Sequence, residues 1–180
     1  MGSGSSTYSG TRGNSQPYAE SYHVLPDMME HDKRDPDIYD PRTGYFKNPT
    51  AFEVAAASAI DGGFSFVGRN GEASRINGKI TYVLDLAGHL IAAKRVNPNA
   101  EGKKAPHPTL ISGRDPRVQC AGMIEFRKGK ILSVNVNSGH YKPARESLAK
   151  VMAYLDSLYT TNPELFHRNS QWRKNDRQRG

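Results

Sequence analysis

The chain has 180 residues, a formal net charge of +7, a pI near 9.5 and 36% hydrophobic residues, which is enough for one ordinary core and points to a single domain. A single cysteine, Cys120, excludes an intrachain disulfide and a cysteine-built zinc site, and no apolar run approaches the ~20 residues of a membrane-spanning helix. The opening Met1-Gly-Ser-Gly-Ser-Ser lacks the charged and hydrophobic regions of a classical signal peptide, and the basic balance favours phosphate-rich or acidic partners.

In chain order, residues 1–20 are rich in Gly, Ser, Thr and Asn and are expected to form a flexible leader, because they offer too little apolar surface to offset the entropy of ordering. Residues 21–166 read as one α+β domain and residues 167–180 as a basic tail. The stretch from His31 to Gly44 is charged and turn-rich, so a loop wrapping the surface is expected. Thr50 and Glu53 have the spacing of a capping box and predict a helix over 50–61, ended by Gly62-Gly63. Phe64, Phe66 and Val67 suggest a short strand, followed by turns at Asn70-Gly71 and Asn77-Gly78.

Two hairpins come next. Residues 80–85 and 89–96 flank the turn Ala87-Gly88, and residues 118–126 and 130–136 flank Lys128-Gly129. Residues 97–108 hold three prolines and predict a loop between the hairpins. Pro143 suits a first helical turn, and Leu148, Val151, Met152, Leu155, Leu158 and Tyr159 recur at helical spacing, so a helix over 144–160 should pack on one sheet face. The fold class is therefore α+β: a twisted antiparallel β-sheet of about five strands, with a C-terminal helix packed on it and a second helix upstream.

His107 and His140 lie on segments that flank strands, where a rigid sheet can present side chains to a ligand. Two imidazoles can divide acid and base roles because their ordinary pKa is near ~6.5. With Arg114, Arg117 or Lys142 holding phosphate and Tyr141 stacking on a base or donating a proton, the set suits metal-independent RNA cleavage by an adjacent 2′-hydroxyl. In a structural reading, His140 and Tyr141 instead bond backbone at a corner and His107 caps a loop. An ADP-ribosyltransferase reading uses His107 and Thr109 for a nicotinamide ribose, Tyr141 for the ring and Glu146 as the acid, although Glu146 should open a helix where that family carries its acid on a late strand. A non-catalytic binding or delivery module would use Lys103, Lys104 and the loop from Arg114 to Arg117. His23, His31 and Asp32 show no compact ligand spacing, so no metal is expected, nor any cofactor. Cys120, in an apolar run, reads as a core residue. In the tail, Trp172 among basic residues is either part of a solvated end or a base-stacking group.

Four pieces act together: Tyr82-Val-Leu-Asp with Gly88; His107-Pro-Thr-Leu-Ile-Ser-Gly; Ala121-Gly-Met-Ile with Gly129; and Ser138-Gly-His-Tyr-Lys-Pro. Over residues 79–160 this combination resembles the carboxy-terminal module of bacterial polymorphic-toxin, Rhs-type proteins, to which Asp32-Lys-Arg-Asp-Pro also fits. A looser similarity links it to the carboxy-terminal region of plant IQ-motif calmodulin-binding proteins, but no IQ motif is visible here. The bacterial resemblance implies a toxin or effector secreted or injected in interbacterial competition. A basic toxin of this kind would be neutralised by an immunity protein with an acidic face.

Overall fold

The computed structural model describes residues 15–47, 51–68, 70–94, 96–97 and 103–179. Its helices are α1 (Pro26–Asp32), α2 (His107–Ile111), α3 (Leu148–Thr161) and α4 (Gln171–Arg179). Its strands are β1 (Tyr39–Asp40), β2 (Tyr45–Phe46), β3 (Phe52–Glu53), β4 (Ser65–Val67), β5 (Ala73–Arg75), β6 (Gly78–Leu84), β7 (Leu90–Ala93), β8 (Val96–Asn97), β9 (Lys103–Lys104), β10 (Cys120–Arg127) and β11 (Lys130–Val134). The fold is α+β, as expected. Five strands form an antiparallel sheet in the order β11-β10-β6-β7-β3, and β1-β2, β4-β5 and β8-β9 form separate hairpins. Among the described residues no helix is long and apolar enough to cross a membrane.

Side-chain alternation divides the two central strands between two cores. Ile80, Tyr82 and Leu84 of β6, with Cys120, Ile124 and Phe126 of β10, face one core, where Val151, Leu155 and Leu158 of α3 cover them. This is the helical stripe legible in the sequence. Val83 and Ala121 face the other core, closed by Leu110 of α2, Tyr22, Val24, Val118 and Tyr141. The sheet is thus covered on both faces, which is why β6 is buried continuously from Ile80 to Leu84.

Three elements differ from expectation. No helix spans 50–61: Phe52 and Glu53 pair with Ala92 and Ile91, and Ala56–Ser58 is a single 3-10 turn. The exposed edge of β7 needs hydrogen-bond partners and Val54 fits the core completely buried, so tertiary pairing overrides the helix propensity of the alanines. Thr50 of the capping box lies outside the described residues. The upstream helix is instead α1, which no sequence signal announced and whose last two residues, His31 and Asp32, open the stretch read as a loop. Residues 15–20 are also tied down. The Gln16 amide donates to the Lys142 carbonyl at 2.8 Å, and the Lys150 ammonium donates to the Ala19 carbonyl at 3.1 Å. The earlier part of the expected leader, residues 1–14, lies outside the described residues.

The tail is corrected in the same way. Trp172 on α4 is 3% exposed, its indole N–H donates to Asp156 Oδ1 at 2.6 Å, and its ring lies 5.1 Å from that of Phe166. A ring locked into the α3 core cannot stack on a nucleobase. Indole needs both apolar cover and an acceptor, and α3 supplies them from sixteen positions upstream.

Candidate functional site

The site forms where three chain segments meet over the second core. The first is the turn 138–142. Buried Ser138 accepts the Lys142 amide on its carbonyl at 2.8 Å and the Tyr141 amide on its hydroxyl at 3.3 Å, while Lys142 takes φ +41° to close the turn. A lysine in this left-handed region is strained, and the contacts around it over-determine its conformation. The Tyr141 carbonyl takes the Gln16 side-chain amide at 2.6 Å, and the His140 carbonyl takes the Leu25 amide at 2.8 Å. The second segment is therefore the stretch 16–25 leading into α1, bound along the turn by hydrogen bonds to the carbonyls of residues 140–142.

Leu25 caps the start of α1, and Asp32 ends it. Asp32 is 1% exposed, and its Oδ2 lies 2.8 Å from His140 Nε2. Its other oxygen, Oδ1, lies 3.4 Å from Nδ1 of His31. A side chain this buried needs hydrogen-bond partners for its polar atoms, and the two imidazoles supply them. The carboxylate can only accept, so His140 carries its proton on Nε2, and no second hydrogen-bond partner holds its Nδ1 among the described residues. The His140 side chain keeps 13% of its exposure, whereas that of His31 keeps 71%.

The third segment is α2. His107 opens it and is buried, with Nε2 donating to the Gly122 carbonyl on β10 at 2.7 Å. Its ring centroid lies 6.5 Å from that of His140, at 49°. The structure thus brings the two expected histidines together but presents them unequally: His107 is buried and bonds backbone, whereas His140 is half-buried and bonds Asp32.

The other expected site residues do not converge on these rings. Thr109 is buried, with its hydroxyl donating to the Pro106 carbonyl at 2.7 Å, so it locks the first turn of α2 and has no hydroxyl proton left for a substrate. Tyr141 is fully buried and its hydroxyl donates to the Pro116 carbonyl, which corrects its role from stacking or proton transfer to fixing the corner. Arg114 sits over the Tyr45 ring and donates to the Thr43 carbonyl at 3.2 Å. Arg117 donates to Ser21 Oγ at 2.6 Å, and neither arginine bonds His140 or Asp32. Lys142 is half-buried and closes the turn with its backbone, and Glu146 is exposed in the 3-10 turn Arg145–Ser147. With Tyr141 and Thr109 committed inside, the residues chosen for a nicotinamide site do not assemble one.

What sequence reading passed over is Asp32. It appears there only as a neighbour of His23 and His31, and as part of Asp32-Lys-Arg-Asp-Pro in the toxin resemblance. Its neighbours in sequence, His31, Arg34, Asp35 and Pro36, line an open depression of about 330 Å³.

Cys120 is a core residue, as expected. Burial pushes its thiol pKa up, and Ser147 Oγ lies 3.2 Å away. Burial also raises the Tyr82 and Tyr141 hydroxyls well above the ordinary value, reinforced at Tyr141 by the charges of Asp115 and Asp32, and burial pushes Tyr154 up to about 12. These phenols ionise more readily when unfolded, so their contribution to stability is complete below pH ~10 and is lost as pH rises through their folded values. The melting temperature should therefore fall steeply between about pH 10 and 12, with three of the nine tyrosines missing from the early tyrosinate absorbance rise. A flat melting temperature across that window would contradict this assignment.

Compared with family models, curated proteins and solved structures, the chain gives no match in any of the three.

Proposed function

We propose that the chain is a toxin or effector domain that cleaves RNA without a metal, with His140 as the working base. The observation that carries this reading is the Asp32–His140 pair, a buried carboxylate bonded at 2.8 Å to an imidazole that retains surface access. Such a carboxylate fixes the tautomer and stabilises the imidazolium that forms when the ring takes a proton. Nδ1 of His140 is the nitrogen left to act. It removes the proton of a ribose 2′-hydroxyl, the oxygen attacks the adjacent phosphorus, the bond to the departing 5′-oxygen breaks, and a 2′,3′-cyclic phosphate results. The sequence resemblance supports the effector setting. The net positive charge suits both an RNA substrate and an acidic immunity protein.

The test is to incubate the purified chain with total RNA in the presence of EDTA, and separately with labelled nicotinamide dinucleotide and cell extract. Fragments ending in cyclic phosphate, with no transfer of label to protein, are expected. Intact RNA overturns the proposal, and label transfer would favour the transferase.

A further inference from the structure

We propose that His31 is the second acid–base group and that the depression it shares with Arg34 seats the scissile phosphate; this rests on the reading of His140 as a ribonuclease base. Transesterification of RNA moves two protons, one off the 2′-hydroxyl and one onto the departing 5′-oxygen, so an imidazole is wanted on each side of the phosphate. His107 is badly placed for the second transfer, because its Nε2 proton goes to the Gly122 carbonyl and the residue is buried.

His31 has the opposite properties. It precedes Asp32 on the last turn of α1, and its Nδ1 turns toward Asp32 Oδ1 while Oδ2 holds His140. One buried carboxylate thereby serves two imidazoles, one sheltered and one open. The His31 side chain keeps 71% of its exposure, and with Nδ1 directed toward Asp32 it is Nε2 that lies on the far side of the ring. Arg34 is exposed and lines the same depression, where its planar fork of donors matches two phosphate oxygens. Asp35 also lines the depression, but its Oδ1 accepts the Asp37 amide at 2.9 Å, so its carboxylate is bound into its own turn. In the proposed step the Nε2 proton of His31 passes to the 5′-oxygen as the P–O5′ bond breaks, while Nδ1 of His140 holds the proton from the 2′-hydroxyl.

Two measurements test this on the full chain. The first compares His31→Ala with the parent on uridylyl-adenosine and on uridine 3′-(p-nitrophenyl phosphate), whose leaving group needs no proton. On the dinucleotide kcat should fall at least about 10²-fold. On the activated ester that deficit should shrink at least tenfold. Equal deficits on both substrates, or no deficit, overturn the acid role. The second follows the His31 ring resonance by NMR during titration with inorganic phosphate. A saturable shift that Arg34→Gln weakens at least tenfold supports the seat, and an unmoved resonance overturns it. The titration needs no turnover, so it decides the phosphate seat even if the parent leaves RNA intact.

Discussion

Asp32→Asn is expected to lower RNA cleavage by about 10²- to 10⁴-fold, the range for loss of acid–base assistance, while the domain keeps a cooperative melt. Asparagine preserves the volume and an oxygen that can accept the Nε2 proton of His140, but it lacks the charge that stabilises the imidazolium. His140→Ala should lose a similar factor. On the proposed mechanism the two act as one unit, so the double variant should be little worse than either single one. Stability separates this from a purely structural role. Removing one member of a buried charged pair costs about 3–5 kcal/mol when the pair is mainly a staple, equivalent to a fall of roughly 6–20 °C in melting temperature for a domain of this size. An Asn variant that melts early but cleaves RNA normally at low temperature would make the pair a fastener for α1 and end its chemical role.

Gly122→Ala should be the most damaging small substitution in the sheet. A Cβ at this position would lie 2.0 Å from the Asn135 carbonyl oxygen, 2.7 Å from its carbon and 2.8 Å from Val136 Cα. All three are backbone atoms, so no flexible side chain can move aside. The segment beyond β11 would have to lift off β10, disrupting the Tyr82 hydroxyl bond to the Asn135 carbonyl at 2.6 Å and the Met123 amide bond to Asn135 Oδ1 at 2.9 Å. The Gly122 carbonyl would also shift away from His107, linking this packing defect to the site. A loss of about 3 kcal/mol or more is expected, at or above the usual upper end for overpacking. Urea unfolding checks it: a lower midpoint at unchanged slope fits a packing defect, whereas a cost below about 1 kcal/mol would mean that the two strands can separate freely.

Where the sequence could be read, local period and turn chemistry did the work. Alternation through Ile80–Leu84 and Cys120–Phe126, the glycines at 88 and 129, and the stripe Val151–Leu155–Leu158 specify the two central hairpins and the covering helix. The elements misread are those whose conformation depends on a distant partner. Phe52 and Glu53 extend because β7 offers an open edge, and Trp172 is buried because α3 offers Asp156 and an apolar surface. The site divides in the same way. His107 and His140 lie 6.5 Å apart, yet His107 is buried against the Gly122 carbonyl and does not share an open site with His140; Thr109 and Tyr141 are anchors, and the arginines hold other loops.

Composition and periodicity by themselves determined an α+β domain with one core-lining cysteine and a basic charge balance, because those properties follow from nearest neighbours along the chain. Only the tertiary structure decided that Asp32 meets an imidazole 108 positions later, that His107 is spent on a backbone carbonyl, and that His31 stays open to solvent. Loop closure selects which distant groups meet, and the desolvation cost of a buried carboxylate then makes their pairing obligatory.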